Sequence, residues 1–195
     1  MFLRHLHCFI LILPIFLLNA CTAPAVNAVP ELTFKHLPPI ALKVSDIILV
    51  SKSVFSTKYP RVGYRFQITP EAAVKKWALD RLQIGGGSKT ARFTILDARA
   101  LETKVNTKKN LTELFKRMAS ERYDVILKAQ LEILDKRGTP IATVTSTANW
   151  IQTVREDTSL TERQNIWFSM IEKSINQLDS KMEQAIRHYM AEFLF

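Results

Sequence analysis

Cys21 is the residue whose side chain and sequence surroundings point most directly to chemistry. A cysteine thiol can be alkylated at sulfur, and Cys21 stands directly after the small residue Ala20. The preceding segment carries one cation, Arg4, and then an apolar run over residues 8–18. That run of about 11 residues is roughly half of what a helix needs to cross a bilayer. A charged start, a short apolar centre and a small residue at its end are typical of a secretory signal peptide, which predicts cleavage between Ala20 and Cys21.

The sequence Leu18-Asn19-Ala20-Cys21 resembles the lipobox of bacterial lipoproteins. The resemblance implies that signal peptidase II cuts before Cys21, that the sulfur receives a diacylglycerol, and that the freed amine is acylated, with palmitate as the expected chain. Two or more acyl chains hold a protein firmly on a membrane. Thr22 stands where an aspartate tends to retain such proteins in the inner membrane. The resemblance therefore implies the periplasmic face of the outer membrane, and the alternative is ordinary secretion with Cys21 as a free thiol.

The composition predicts one folded domain behind this anchor. Removing residues 1–20 leaves 175 residues and a net charge of +8, and a chain of that length can fold without disulfides. The predicted organisation is a signal peptide over 1–20, a lipidated N-terminus and proline-rich tether over 21–39, and a single periplasmic domain over 40–195. The positive charge either attracts anionic lipid or lipopolysaccharide or only tunes solubility. A nucleic-acid partner is not expected outside the cytoplasm.

Neither catalysis nor a cofactor is predicted by any motif of the chain. The segment Gly85–Thr90 looks like a phosphate-binding loop, but such a loop needs a helix after it, whose first amides point at the anion. The predicted order here is helix, glycines, strand. After removal of residues 1–20, the two remaining histidines, His36 and His188, are isolated, and no cluster has metal-ligand spacing. We therefore expect a protein that is not an enzyme and has no cofactor or metal, although carboxylates distant in sequence could meet in space.

Basic and aromatic residues are the candidates for binding. The cations are Lys75, Lys76 and Arg81 on the first predicted helix and Arg61, Arg65, Lys89 and Arg92 around it. Lys75, Lys76 and Arg81 are the candidate surface for a partner or an anion, and a solvated basic face is the alternative. Trp77 and Trp150 are candidates for an apolar ligand groove, and core packing is the alternative. The apolar end over residues 189–195 either packs back on the sheet or docks a partner.

The hydrophobic pattern of the first half predicts two strands and a helix. Ala41–Ser51 alternates and then becomes continuously apolar, which is typical of a strand, and 52–68 is predicted to be a long surface loop or irregular edge. Thr69-Pro70-Glu71 has the capping hydroxyl, the proline and the acid of a helix start. The glycines Gly85–Gly87 are predicted to end that helix. Ala91–Val105 is the second predicted strand.

The second half predicts a hairpin between two helices. A short helix is expected over Asn110–Glu121, and strict alternation over Tyr123–Ile133 predicts a strand. Asp135–Gly138 has the length and the glycine of a tight hairpin turn, and Ala142–Trp150 alternates again as the returning strand. Ser159-Leu160-Thr161-Glu162 is a capping box that opens a long final helix. Together these elements predict an α+β fold, with a mainly antiparallel four-stranded sheet and two principal helices packed on one face.

Beyond the lipobox, the mature chain resembles a group of functionally uncharacterised Gram-negative lipoproteins. The segments that carry the likeness are Leu37-Pro38-Pro39-Ile40, Trp77-Ala78 with Arg81-Leu82, Ser120-Glu121-Arg122-Tyr123-Asp124, Leu160-Thr161-Glu162-Arg163 with Trp167, and Leu178-Asp179. A looser likeness in element order is to the lipopolysaccharide-assembly lipoprotein of the outer membrane and to auxiliary lipoproteins of ABC transporters. These resemblances imply a non-catalytic accessory or assembly subunit with an envelope protein partner. The alternative is a carrier of lipid or glycolipid such as lipopolysaccharide.

Overall fold

Six strands and two α-helices make up the part of the chain that the computed structural model describes, residues 31–105 and 120–195. The elements are β1 (Ile40–Leu42), β2 (Asp46–Ser51), α1 (Pro70–Arg81), β3 (Leu82–Ile84), β4 (Thr90–Val105), β5 (Ser120–Leu134), β6 (Pro140–Arg155) and α2 (Leu160–Tyr189). The signal peptide, Cys21 and residues 110–119 of the predicted short helix lie outside the described residues. Ser120 and Glu121, predicted to end that helix, belong to β5.

Both helices begin where the sequence predicts. Thr69 caps α1 by accepting a 3.2 Å hydrogen bond from the amide of the third helical residue, and Pro70 is the first residue of the helix. Ser159 caps α2 in the same way at 3.3 Å. The buried stripe of α2 extends from Arg163 to Ile186. Local capping chemistry therefore sets the starts of both helices, and burial of one stripe stabilises the longer one.

The main sheet has the strand order β2-β4-β5-β6. Strand β2 is parallel to β4, whereas the pairs β4–β5 and β5–β6 are antiparallel. Strands β1 and β3 form a separate two-stranded parallel sheet. The predicted α+β class is confirmed with its four strands and two helices, but the main sheet is mixed because its first strand pairs in parallel.

The predicted first strand is in fact two strands. Strand β1 ends at Leu42, and β2 begins after a three-residue connection. In that connection the Val44 amide donates to the carbonyl oxygen of Leu42 at 2.8 Å, and the Ser45 amide donates to the carbonyl oxygen of Lys89 at 2.8 Å. This tight turn redirects the chain, so the two halves of one apolar run join different sheets.

The sequence predicts that the glycine segment ends helix α1, and this prediction is wrong. The helix ends at Arg81, and Leu82–Ile84 continues directly as β3. Gly86 and Gly87 have φ angles of 103° and 141°, and a Cβ atom at Gly87 would lie 2.6 Å from the carbonyl oxygen of Lys43. Glycine is therefore required where the backbone of this loop approaches the β1–β2 connection.

Both helices pack on the same face of the main sheet, as predicted. The rings of Trp77 on α1 and Phe93 on β4 are 5.4 Å apart, and the rings of Trp167 on α2 and Tyr123 on β5 are 5.5 Å apart. The inward residues of β5 are all fully buried: Tyr123, Val125, Leu127, Ala129, Leu131 and Ile133. On β6 the buried residues Val144, Ser146 and Ala148 alternate with exposed Thr143, Thr145 and Thr147. The period-two pattern of this hairpin thus separates core from solvent.

The domain starts before the predicted boundary at residue 40. Leu32 and Phe34 are buried, and the Phe34 amide donates to the Asp80 carboxylate at 3.0 Å. The other end of the chain packs back on the domain, one of the two alternatives for residues 189–195. The amide of Phe195 donates to a carbonyl oxygen of β1 at 3.2 Å. Residues near both ends of the described chain are therefore part of the fold.

The main sheet has two ends that are distinguished below. The hairpin end contains the turn Asp135–Gly138 between β5 and β6, and the first residue of β4, Thr90, which pairs with Leu134. The distal end contains Ser120 at the start of β5 and Arg155 at the end of β6, which pair with each other.

Candidate functional site

The candidate surface of Lys75, Lys76 and Arg81 is not a single surface. Arg81 is completely buried, whereas Lys75 is exposed. Lys76 is bound to Asp80, one helical turn later, with its Nζ 2.6 Å from a carboxylate oxygen. The assignment of Arg81 to a partner or anion surface is therefore wrong. Its position one turn after Trp77, on the stripe that α1 buries, was the sequence signal that could have revealed this.

Arg81 belongs to a buried polar cluster that joins α1 to α2. Its Nε donates to Oδ1 of Asp179 at 2.8 Å, and the same oxygen accepts from Nε1 of Trp77 at 2.6 Å. The guanidinium also donates to Glu183 and to the carbonyl oxygen of Pro38. Burial alone would raise the pKa of Glu183, but hydrogen bonds and charge from Arg187 and Arg81 hold it below its usual range. The cluster is a fully paired clamp between the helices and the N-terminal segment.

Of the two tryptophans predicted to line an apolar groove, Trp77 has no exposed surface among the described residues. Trp77 is completely buried against Phe93 and hydrogen-bonded in the α1–α2 clamp, so it is a core residue. Trp150 is half-buried on β6, with Nζ of Lys173 4.9 Å from its ring centroid. The structure thus gives the lipid-carrier alternative no opening at Trp77.

A second buried cluster surrounds the hydroxyl of Tyr123. The hydroxyl lies 2.8 Å from Glu121 and 3.0 Å from Glu102, and Arg163 donates to it at 2.8 Å. Arg163 also donates to Glu121, and Arg65 donates to Glu102 at 2.9 Å. Two carboxylates and the guanidinium of Arg163 therefore bind one phenol, and Arg65 balances the charge through its pair with Glu102.

The pKa shifts of this second cluster favour a clamp over acid–base chemistry. Burial and the bond to Glu121 raise the pKa of the Tyr123 phenol well above its usual range. Burial opposes ionisation of Glu121, but the bonds from Tyr123 and Arg163 outweigh it and lower the pKa of the carboxyl. The phenol therefore stays protonated and the carboxylate ionised around neutral pH, so neither is poised to exchange a proton there.

The loop before α1 exposes large apolar side chains that belong to neither of the two buried clusters. Residues 52–66, here called the edge loop, expose Val54, Phe55, Tyr59 and Tyr64 to between 46% and 72%. Its sequence was predicted as a surface loop or irregular edge, and the structure confirms this. Several large apolar side chains exposed in one short segment are typical of an interaction site.

The edge loop is held firmly against β4 by its backbone. The Val62 amide donates to the carbonyl oxygen of Ala100 at 2.9 Å, and the Glu102 amide donates to that of Pro60 at 2.8 Å. Near the start of the loop, the Ser53 hydroxyl donates to the carbonyl oxygen of Ala98 at 3.1 Å. These bonds continue the edge of the sheet where β2 has ended.

The end of the edge loop is fixed by aromatic packing. The ring of Phe66 stacks on Trp167 of α2 at 4.8 Å, with an interplanar angle of 5°. The guanidinium of Arg65 lies 5.3 Å from the same indole ring. Strand β4 thus holds the backbone of this loop and helix α2 holds its last residues, while its outer side chains stay exposed.

A small cavity of about 50 Å³ lies between the edge loop, the start of α1 and β4. Its lining includes Phe55, Arg61, Tyr64, Glu71 and Arg99. Arg99 is bound to Asp97 at 2.6 Å, while its buried Nε has no hydrogen-bond partner among the described residues. The exposed rings around this opening could therefore receive a partner side chain. The sequence predicts a surface loop here but does not single out these rings, because a loop pattern does not show which side chains stay exposed.

Other features of the described residues add no site. The exposed His188 packs edge-to-face on Tyr189, with ring centroids 4.5 Å apart. In residues 31–105 and 120–195, no three or more His, Cys, Asp or Glu side chains are grouped to hold a metal ion. Across the same residues, no helix has both the length and the apolarity needed to span a membrane.

Comparison with known proteins finds similarity at the level of solved structures. No protein-family model and no curated protein matches the chain. The chain is similar to a minor lipoprotein from Acinetobacter baumannii, with 16% identity, a TM-score of 0.33, and coverage of 80% of this chain and 96% of the other. It is also similar to the rare lipoprotein B from Shewanella oneidensis, with 10% identity, a TM-score of 0.31, and coverage of 73% and 97%. For the lipoprotein GNA1162 from Neisseria meningitidis, identity is 9%, the TM-score 0.24, and coverage 71% and 99%. At these identities and TM-scores, the function of this chain is argued from its own residues.

Proposed function

We propose that this chain is a bacterial lipoprotein held by lipid on Cys21 at the periplasmic face of the outer membrane. Its domain acts as a non-catalytic accessory or assembly subunit in envelope biogenesis or transport, and it binds a protein partner through the edge loop. The four exposed apolar and aromatic side chains of that loop are the observation that carries the binding role. The signal-peptide pattern and the sequence Leu18–Cys21 support the anchor.

The chemistry of the edge loop fits a protein surface. Aromatic side chains and arginines are enriched where protein interfaces are strongest, and Phe55, Tyr59 and Arg61 are all exposed or half-buried here. The hydrogen bonds from the loop to β4 hold its backbone in place before binding, which lowers the entropy cost of association. The exposed cations Lys52 and Lys58 favour a partner whose surface is acidic around an apolar centre.

The edge loop is also well placed relative to the anchor. It is bound to Ala98–Glu102 of β4, which are eight to twelve residues beyond Thr90 at the hairpin end. At about 3.3 Å per residue, the loop lies roughly 25–40 Å along the strand from that end. The N-terminal segment joins the domain at Asp80, near the end of α1. A partner can therefore occupy the loop without displacing the segment that leads to the membrane.

Site-specific crosslinking in intact envelopes tests the binding role. A photo-reactive amino acid at Phe55 should give one discrete adduct with an envelope protein. The matched control is Leu79 on the outer side of α1, which is 65% exposed, against 72% for Phe55. The same adduct from Leu79, or no adduct from Phe55, would contradict the proposed site.

Substitutions test the same role by affinity. Phe55→Ala together with Tyr59→Ala should lower co-purification of the captured partner at least ~10-fold, because interface aromatics commonly contribute most of the binding energy. Leu79→Ala should leave co-purification unchanged.

The anchor has its own test. Labelled palmitate should enter the native chain and should be absent from Cys21→Ser, which should leave the membrane fraction. Normal maturation of Cys21→Ser with retention in that fraction would count against the anchor and leave the crosslinking result standing.

A further inference from the structure

The hairpin end carries a basic and apolar surface that is separate from the two buried clusters and from the edge loop. We call it the tail patch: the exposed Lys43, Ile84 and Phe195 together with the half-buried Lys89. Ile84 is 55% exposed and Phe195 is 73% exposed. Nζ of Lys43 lies 5.7 Å from the ring centroid of Phe195. Cations and an aromatic ring are therefore presented side by side.

The tail patch is built from segments that the fold fastens together. The Lys43 amide donates to the carbonyl oxygen of Phe193 at 2.8 Å, and Nζ of Lys89 lies 5.6 Å from the ring centroid of Phe193. The ring of Phe195 lies so close over Gly85 that a Cβ atom there would collide with it. Lys89 immediately precedes Thr90, the first residue of β4, so the patch belongs to the hairpin end.

The N-terminal segment joins the domain close to the same place. The amide of Phe34 is bound to Asp80, and β1 pairs with β3 from Leu82 onward, two residues after Asp80. The chain advances ten residues from Cys21 to Glu31. Such a segment spans at most about 35 Å even when fully extended. On the proposed lipid anchor, the point where the chain enters the domain therefore lies no more than about 35 Å from the bilayer surface.

The charge of the hairpin end suits an anionic lipid surface. The cations of its turns and flanking segments are Lys35, Lys43, Lys89, Lys136 and Arg137, and the acids there are Glu31, Asp46, Asp135 and Glu192. The cations therefore outnumber the acids. Each lysine near an anionic headgroup layer adds to membrane attraction, and an exposed aromatic ring beside it can enter the interface.

We infer that the tail patch is a second membrane contact, which binds the anionic headgroups of phospholipids and orients the anchored domain with its edge loop turned away from the bilayer. This inference rests on the proposed lipid anchor for its place in the cell, but its binding chemistry belongs to Lys43, Lys89 and Phe195 themselves. It can therefore be tested without the lipid.

Vesicle sedimentation of the unlipidated mature chain, residues 22–195, tests the inference. This chain retains the whole compact unit Glu31–Phe195. It should sediment with vesicles of phosphatidylglycerol and phosphatidylethanolamine, and it should dissociate from them at high salt. It should not sediment with pure phosphatidylcholine vesicles. Absence of binding to the anionic vesicles would overturn the inference.

Charge variants locate the contact on the protein. Lys43→Glu with Lys89→Glu should weaken vesicle binding at least ~30-fold, since two membrane-facing lysines are lost. The matched control, Lys52→Glu with Lys128→Glu, changes the net charge equally at exposed sites outside the patch and should lose much less. Equal losses from both pairs would show unspecific attraction and overturn the inference. The milder pair Lys43→Gln with Lys89→Gln, checked for an unchanged circular dichroism spectrum, separates lost binding from lost folding.

Palmitate labelling of the full chain is a separate readout. Vesicle binding by residues 22–195 without palmitate incorporation would refute the anchor alone. Palmitate incorporation without vesicle binding would refute the tail patch alone.

Discussion

Replacing Asp179 by alanine is expected to destabilise the domain more than any surface substitution. The carboxylate accepts hydrogen bonds from Trp77 and Arg81, both of which are fully buried. Without it, the Trp77 indole loses its partner and the Arg81 guanidinium keeps only Glu183 and a carbonyl oxygen. We expect a loss of about 3–5 kcal/mol in the free energy of unfolding, because two buried N–H donors lose their shared acceptor and the buried Arg81 loses one of its two carboxylates.

A double-mutant cycle measures the interaction energy between Asp179 and Arg81 separately from their other contacts. Arg81→Met alone should cost about 2–4 kcal/mol, since it leaves the Asp179 charge with one remaining donor. The double variant should cost less than the sum of the two single variants by about 1–3 kcal/mol, because the second change removes a group that the first has already left unpaired.

Urea denaturation of residues 22–195, followed by circular dichroism, measures these values. Lys76→Met is the matched control. It breaks an ion pair on the same helix whose lysine is one-third exposed. The buried Asp80 carboxylate keeps its bonds from the Phe34 amide and the Thr33 hydroxyl, so the change should cost no more than about 2 kcal/mol. If Asp179→Ala costs no more than Lys76→Met, or if the two single variants are additive, the clamp does not stabilise the fold in the way described. Arg81→Met should also leave partner co-purification unchanged per folded molecule, because Arg81 is buried and reaches no partner.

Three further predictions follow from local geometry. Glu121 has a pKa below its usual range in the folded state, so the unfolded state binds more protons as the pH falls; its stabilisation is present at about pH 7 and is lost on acidification below about pH 4–5. Glu121→Gln should therefore flatten the fall of the urea midpoint as the pH drops below about 5, and an unchanged slope there would refute the assignment. Gly87→Ala should cost at least about 1 kcal/mol more than Gly86→Ala in urea unfolding, because both glycines have positive φ but a Cβ atom at Gly87 alone meets the Lys43 carbonyl oxygen. Thr69→Ala should cost about 1 kcal/mol through loss of the α1 cap, and Thr69→Ser should restore it; equal stabilities would show that the cap bond contributes nothing.

Periodic and capping patterns predicted most of the elements. The alternation over Tyr123–Ile133 and the Asp135–Gly138 turn predict the β5–β6 hairpin because side chains of a strand point alternately to core and solvent. Gly138 has a φ angle of 80°, as a tight turn needs. Thr69 and Ser159 predict the helix starts because a capping bond joins residues three positions apart.

Sequence patterns gave wrong predictions where strand pairing or burial depended on a segment far along the chain. The apolar run of residues 41–51 reads as one strand, but its halves pair with β3 and β4, which lie 40 or more residues further along the chain. Arg81 reads as a surface cation because its partner Asp179 is 98 residues away. The exposure of Phe55 and Tyr59 depends likewise on the hydrogen bonds that tie their loop to β4.

The sequence by itself determined the local features of this protein: the signal-peptide pattern and Cys21, the starts of two helices, and the strands of the hairpin. These depend on interactions within a few residues, which the spacing of side chains reveals directly. Only the tertiary structure decided which cations are buried in clamps and which aromatic side chains stay on the surface. The reason is physical: burial and ion pairing depend on which segments pack together, and here those segments lie tens of residues apart in the chain.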